Sequence, residues 1–143
     1  MSRSISILGV TGSIGQSTIA VVEEMRGQGQ DIRVEAITAG QNLSGLADAC
    51  RALRPKFAAV ADAALLAAAR EALVGLGVEV GAGESALEEA GARPADWVMS
   101  AIVGAAGLAP TMAAVRRGAT VALANKECLV CAGPLFINAA KTH

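Results

Sequence analysis

Apolar positions along the chain follow two rhythms that alternate from one end to the other. Ser4 to Leu8 alternates and then runs apolar into a cluster of glycines, the pattern of a buried strand entering a tight turn. From Ser13 the spacing becomes helical through Ile14, Thr18, Ile19, Val21 and Val22, until Gly27 and Gly29 stop it. Ile32 to Thr38 is a second β-branched run, and Asn42 is placed to cap a helix through Leu43, Leu46, Ala49 and Leu53 that ends before Pro55. Phe57 to Val60 is a short strand, Asp62 a second cap, and Ala63 to Leu73 an alanine-rich helix. Val78 to Val80 predicts a weak strand, Ser85 to Ala90 a short helix, and Trp97 to Ile102 a stronger strand after the turn Arg93-Pro94-Ala95-Asp96. A helix over Leu108 to Arg117 ends at Gly118 with two arginines in its last turn, which suits the helix dipole. Thr120 to Leu123 predicts a further strand and Leu129 to Lys141 a final helix. Strands separated throughout by helices imply an α/β fold, a Rossmann-type doubly wound, mostly parallel sheet with helices on both faces.

Length narrows this to a single domain over residues 1–143, long enough for a core and too short for two ordinary modules. Just over half of the residues are apolar, but there are only two Phe and one Trp and no Tyr, so the core is built of Ala, Val, Leu and Ile. A net charge of -1 offers no basic face to nucleic acid, so none is expected as a partner. The uncharged stretch from Trp97 to Val115 is about as long as the roughly 18 residues that flag a membrane span. It divides into an apolar run, a small-residue turn around Gly104 and Gly107, and a helix start at Pro110, so a buried strand and a helix are expected there and no membrane. Three cysteines, Cys50, Cys128 and Cys131, with no secretory leader pattern point to the cytoplasm.

The glycines at 9, 12 and 15 change the picture from fold to chemistry, because they lie between the first strand and first helix, where a dinucleotide fingerprint belongs. Gly9 permits the sharp turn, Gly12 lets backbone approach a phosphate, and Gly15 lets the helix pack close to the sheet. The second glycine arrives one residue later than in the common pattern, with Thr11 in its usual place. Thr11 and Ser13 add hydroxyl donors, and the start of the helix favours an anion through its N–H groups and partial positive charge. NAD-binding domains carry Asp or Glu at the end of the second strand to hold the ribose 2'-hydroxyl. Here that strand runs out into Thr38-Ala39-Gly40-Gln41-Asn42, with no carboxylate to repel a 2'-phosphate, which favours NADPH. Gln41 and Asn42 can donate hydrogen bonds to it but bring no positive charge.

A second polar constellation, Ala124-Asn125-Lys126-Glu127, follows a strand whose C-terminal end should lie beside the cofactor crevice. Asn as a helix cap with Glu in the first turn would account for two of these residues without any ligand. Taken together, Leu8-Gly9-Val10-Thr11-Gly12-Ser13-Ile14-Gly15, Ala101-Ile102-Val103-Gly104-Ala105-Ala106-Gly107-Leu108 and Leu123-Ala124-Asn125-Lys126-Glu127 closely resemble the 1-deoxy-D-xylulose 5-phosphate reductoisomerases. The resemblance covers only that family's N-terminal NADPH-binding domain. It implies an enzyme that rearranges 1-deoxy-D-xylulose 5-phosphate and reduces the resulting aldehyde with NADPH to 2-C-methyl-D-erythritol 4-phosphate, for isoprenoid synthesis. It further implies a homodimer that uses a divalent metal (Mg, Mn or Co) held by acidic residues beyond this chain's end. By matching position, the resemblance assigns Thr11, Gly12, Ser13, Ile14, Gly40, Gln41, Asn42, Asn125 and Glu127 to NADPH and Lys126 to the phosphosugar substrate. A lysine suits that role because its compact charge can stabilise developing oxyanions.

Two positions depart from the commonest family pattern: Gln41 stands where lysine is frequent, and Cys128 where serine is usual. Cys128 and Cys131 also form a Cys-x-x-Cys, but the only histidine is His143 and no second pair completes a zinc site, so small packed side chains are expected. No catalytic residue and no metal ligand is assigned within the chain, which is therefore expected to bind NADPH without turnover on its own. Ala-Asn-Lys after a strand also resembles homoserine dehydrogenase, which the Thr-Gly-Ser-Ile turn fits less well. A short-chain dehydrogenase would need a tyrosine that the chain lacks. A stand-alone, non-catalytic nucleotide-binding module is the reading from another class.

Overall fold

The computed structural model describes residues 2–124 and 132–143. Its elements run β1 (Arg3–Leu8), α1 (Ser13–Gly27), β2 (Ile32–Ala39), α2 (Leu43–Leu53), β3 (Phe57–Val60), a 3-10 turn (Ala63–Leu65), α3 (Leu66–Ala72), β4 (Glu79–Ala82), α4 (Glu84–Ala92), β5 (Trp97–Ser100), a second 3-10 turn (Ala105–Gly107), α5 (Leu108–Arg116), β6 (Thr120–Leu123) and α6 (Lys126–Thr142). The strands form one sheet in the order β4-β3-β2-β1-β5-β6, and each neighbouring pair is parallel. The expected fold class is therefore observed.

Strand order follows from the handedness of the crossovers. β1 to β4 step outward in one direction, so the right-handed connections α1, α2 and α3 lie on one face. The chain then returns through α4 to lay β5 on the free side of β1, and α5 follows on the opposite face. Two core clusters reflect this division. Ile7, Val22, Val34, Ile37, Leu46, Leu53 and Val60 pack beneath α1–α3. Leu8, Ala36, Phe57, Leu87, Ala90 and Val98 pack beneath α4 and α5. The alternation of Ile7 with Leu8 and of Ala58 with Ala59 sends successive side chains to opposite faces, as the pleat requires. In β2 that alternation slips, because its register against β1 shifts between Val34 and Ile37 and inserts one extra residue.

Several boundaries differ from the sequence expectation for visible reasons. The strand expected over Trp97 to Ile102 stops at Ser100, where the chain turns away against Gly9. The alanine-rich helix begins as a 3-10 turn because the Asp62 carboxylate accepts from the Ala64 N–H, only two residues on. The final helix is interrupted at Ala132, whose φ/ψ of -138° and 24° is non-helical, just ahead of Pro134, which cannot donate to the preceding turn. The stretch from Trp97 to Val115 divides into β5, a 3-10 turn and α5, and among the described residues no helix is long and apolar enough to cross a membrane.

Candidate cofactor-binding site

In an open parallel sheet the crevice for a ligand lies at the carboxyl ends of the strands where the winding direction reverses. Here that point is between β1 and β5, at Leu8-Gly9 and Ser100-Ala101. A cleft of about 320 Å³ opens there, lined by Gly9, Thr11, Gly12, Gly40, Ile102 and Ala106 among others.

The turn that walls this cleft is held from three directions. The Gly9 N–H donates to Thr38 Oγ1 at 2.9 Å and the Val10 N–H to the Thr38 carbonyl at 2.8 Å, which fastens the turn to β2. The Gln16 side-chain amide donates to the Val10 carbonyl at 3.2 Å, which ties the turn to α1. On the far side, Gly9 sits at φ +86°, with the place of a Cβ only 2.7 Å from the Ala101 carbonyl oxygen. A side chain at Gly15 would collide with the carbonyls of Gly9 and Val10. Both glycines are thus required by the protein's own packing.

Gly12 is different. Its φ of -77° is open to any residue, and a Cβ there would have no neighbour nearer than the Gly9 carbonyl oxygen at 3.9 Å. Nothing in the chain fills that space, so glycine at this position leaves a concavity facing the cleft. Gly12 is also the cap of α1, it offers no side-chain cap, and the first turn holds no acidic residue. The opening N–H groups of a helix have no partners within it, and with the helix dipole they suit an anion. This is the geometric fit to a pyrophosphate.

The other residues singled out in the sequence divide between this cleft and other surfaces. Gly40 lines it at the end of β2. Asn42 caps α2, its Oδ1 accepting from the Gly45 N–H at 2.9 Å, and the Gln41 amide reaches Asp62 Oδ2 at 3.4 Å. The Ile14 side chain turns the other way, into a groove on the outer flank of α1, and leaves only its backbone near the turn. Asn125, Lys126 and Glu127, together with Cys128 and Cys131, lie outside the described residues. They follow directly on Ala124, whose N–H donates to the Ser100 carbonyl at 2.9 Å beside the crevice. Cys50 is a buried free thiol in the α2 core, pushed up to about 11 chiefly by burial. Among the described residues no three His, Cys, Asp or Glu side chains come together to hold a metal.

Sequence reading missed Thr38 and Gly45. Thr38 passes in sequence for one more β-branched strand residue, yet its hydroxyl holds the glycine turn. Gly45 lies within the first turn of α2, where a Cβ would meet Asn42 and the Thr11 methyl at 2.7 and 3.0 Å. Its signal is a glycine three residues after a helix cap, a costly choice inside a helix unless something packs on it.

A parallel sheet whose glycine turn opens at the reversal of strand order defines a Rossmann-type domain of the dinucleotide-binding class. Residues 5–133 match the profile of one family, 1-deoxy-D-xylulose 5-phosphate reductoisomerase, and the chain belongs to that family. It is 59% identical over 138 residues to the 1-deoxy-D-xylulose 5-phosphate reductoisomerase of Bradyrhizobium sp. (strain BTAi1 / ATCC BAA-1182), covering 96% of this chain and 33% of that relative. It is 58% identical over 141 residues to that of Afipia carboxidovorans, covering 99% and 34%. The solved structure of the reductoisomerase from Zymomonas mobilis in complex with NADPH superposes with a TM-score of 0.95 at 48% identity, covering all of this chain and 37% of that one. The chain thus spans about one third of the length of the curated relatives it matches.

Proposed function

We propose that this chain is the NADPH-holding domain of an enzyme that isomerises and reduces 1-deoxy-D-xylulose 5-phosphate to 2-C-methyl-D-erythritol 4-phosphate, in the non-mevalonate route to isoprenoids. The observation that carries the reading is Gly12: a concavity that no group of the protein requires, placed at the cap of α1 and facing the switch-point cleft. Support comes from a relative of 48% identity whose solved structure is a complex with NADPH.

Each part of the chain has a share in this role. Thr11, Gly12, Ser13 and the backbone of Ile14 receive the pyrophosphate at the start of α1. Gly40, Gln41 and Asn42 meet the adenosine ribose and its 2'-phosphate at the end of β2, where no carboxylate opposes that charge. Asn125 and Glu127 orient the nicotinamide end, and Lys126 steadies the phosphosugar. NADPH, when bound, supplies the hydride. The chain's part is to bind and orient it, since positioning accounts for much of what such a site contributes. Magnesium is present in solved relatives, but the described residues bring together no ligand set for a metal. We assign metal-dependent chemistry to the remainder of the family's protein, and expect this chain alone to bind NADPH without turnover. We place the enzyme in the cytoplasm, as a homodimer in its full-length form.

The test is a titration of the 143-residue chain with NADPH and NADH. NADPH is expected to bind at least about tenfold tighter, a difference of about 1.4 kcal/mol. Tighter NADH binding would sink the cofactor assignment. NADPH oxidation on addition of deoxyxylulose phosphate to the chain would sink the division of labour.

A further inference from the structure

The glycine turn departs from the common fingerprint at one place, where Thr11 stands in the position of the second glycine. That glycine ordinarily lets backbone approach the pyrophosphate, so a side chain there has to be taken out of the way. The structure shows where it goes. Thr11 lines the cleft, but its Cγ2 methyl lies against Gly45 in the first turn of α2, only 3.0 Å from where a Cβ of that residue would stand. The same absent Cβ would stand 2.7 Å from Asn42 Nδ2 and 3.0 Å from Asn42 Cγ. The Asn42 amide is held in this place because its Oδ1 accepts from the Gly45 N–H at 2.9 Å.

The backbone does not call for a glycine here. Gly45 lies inside α2 and is not among the residues of positive φ, and glycine within a helix is less favourable than alanine. Its two side-chain neighbours are what a Cβ would disturb. Neither belongs to the core, since Asn42 is exposed and Thr11 half-buried, so both can give way without opening the fold. They cannot give way and keep their places at the site. The branched Cβ of threonine restricts its rotamers, so a methyl seated on Gly45 also sets the direction of the hydroxyl on the same carbon.

We infer that Gly45 is a positioning residue for the dinucleotide. It receives the Thr11 methyl, which stands in for the glycine that the turn lacks, and it gives the Asn42 amide room to lie over the first turn of α2. One absent Cβ thereby couples the pyrophosphate turn after β1 to the 2'-phosphate end after β2. The inference rests on the assignment of Thr11 and Asn42 to NADPH, and Gly45 acts only through those two residues.

The experiment is Gly45→Ala in the full-length protein, alone and combined with Thr11→Ser, which removes the methyl that meets Gly45 and keeps the hydroxyl. Gly45→Ala is expected to weaken NADPH binding at least about fivefold in a fluorescence titration, and to raise KM for NADPH to match with kcat held within about twofold. Tm should stay within about 1 °C, because the groups that yield lie outside the core. In the Thr11→Ser background the same change should weaken binding by at most about half that factor, the rest being the share of Asn42. Unchanged NADPH affinity in Gly45→Ala overturns the inference, and so does an equal factor in the two backgrounds. A lowered Tm or a failure to fold also overturns it, because the glycine would then be a requirement of the fold. A wild-type protein that binds NADH more tightly than NADPH removes the cofactor assignment alone, and the coupling of Gly45 to Thr11 is then read with NADH.

Discussion

Gly12 and Gly15 are three residues apart and predict opposite behaviour. Gly15→Ala drives a Cβ into backbone carbonyls that cannot withdraw without moving the turn. Its expected cost is about 3 kcal/mol in urea unfolding, the upper range for overpacking. Gly12→Ala has room for its methyl, so the melting temperature should hold within about 1 °C while NADPH binding weakens at least about tenfold. If both variants lose stability equally, the concavity at Gly12 is structural and the binding argument falls. A third residue, Asp96, sets the acid limit. Its carboxylate is held below the ordinary value first by the backbone N–H and then by the hydroxyl of Ser4, with Arg33 and Arg117 nearby. A depressed carboxyl adds stability above its unfolded value, and that stability is lost as pH falls through the folded one. Chemical denaturation of wild type below about pH 4 should therefore lose midpoint faster than Asp96→Asn does. For Cys50 the sign is reversed: burial favours the neutral thiol, so its contribution is present below the unfolded thiol pKa and lost as pH rises toward about 11. At pH 8 a disulfide reagent should reach Cys50 only after denaturant is added.

Between elements, one side chain makes long-range contacts that no local pattern predicts. Arg26, in the last turn of α1, donates from Nε and Nη2 to the Ile32 carbonyl at 2.9 and 2.8 Å, and from Nη2 to the Leu53 carbonyl at 3.0 Å. It therefore pins the end of α1 to the start of β2 and the end of α2. Arg26→Met is expected to cost about 2 kcal/mol in urea unfolding, the scale of a charge-assisted bond to a buried acceptor; a variant as stable as wild type would show that water replaces the guanidinium. Arg26 reads in sequence as a dipole-suited helix end, which it also is. Its long-range partners are carbonyls, and carbonyls have no sequence signature. The element order and the parallel sheet, by contrast, are legible because apolar period and turn residues are local. Glu35 marks where local reading stops. It occupies a strand, is buried, and is met by Lys56 Nζ at 2.8 Å, an arrangement that goes with the extra residue in β2 and leaves no trace in the alternation. At the site, the glycine turn is legible for the same local reason, while Thr38 serves it from 29 positions away.

For the molecule as a whole, the division of labour is what can be measured. Addition of magnesium or a chelator should leave the NADPH affinity of the 143-residue chain unchanged within about twofold, since no acidic cluster among the described residues can take up the ion. A marked response to magnesium would place a metal in this third of the protein. The order β4-β3-β2-β1-β5-β6 also has a consequence in time. β1 is made first and sits in the middle, and one of its edges waits for β5, with Ser4 and Asp96 bonded across 92 positions. While the chain is being synthesised from its N-terminus, α1 to α4 and their strands can assemble early, but the open side of β1 stays a free strand edge until Trp97 to Ser100 emerges. The crevice is finished by the same event, because Ala101 is the wall against which Gly9 closes. A nascent chain halted before β5 therefore has its glycine turn but no site, and is at its most adhesive at that moment.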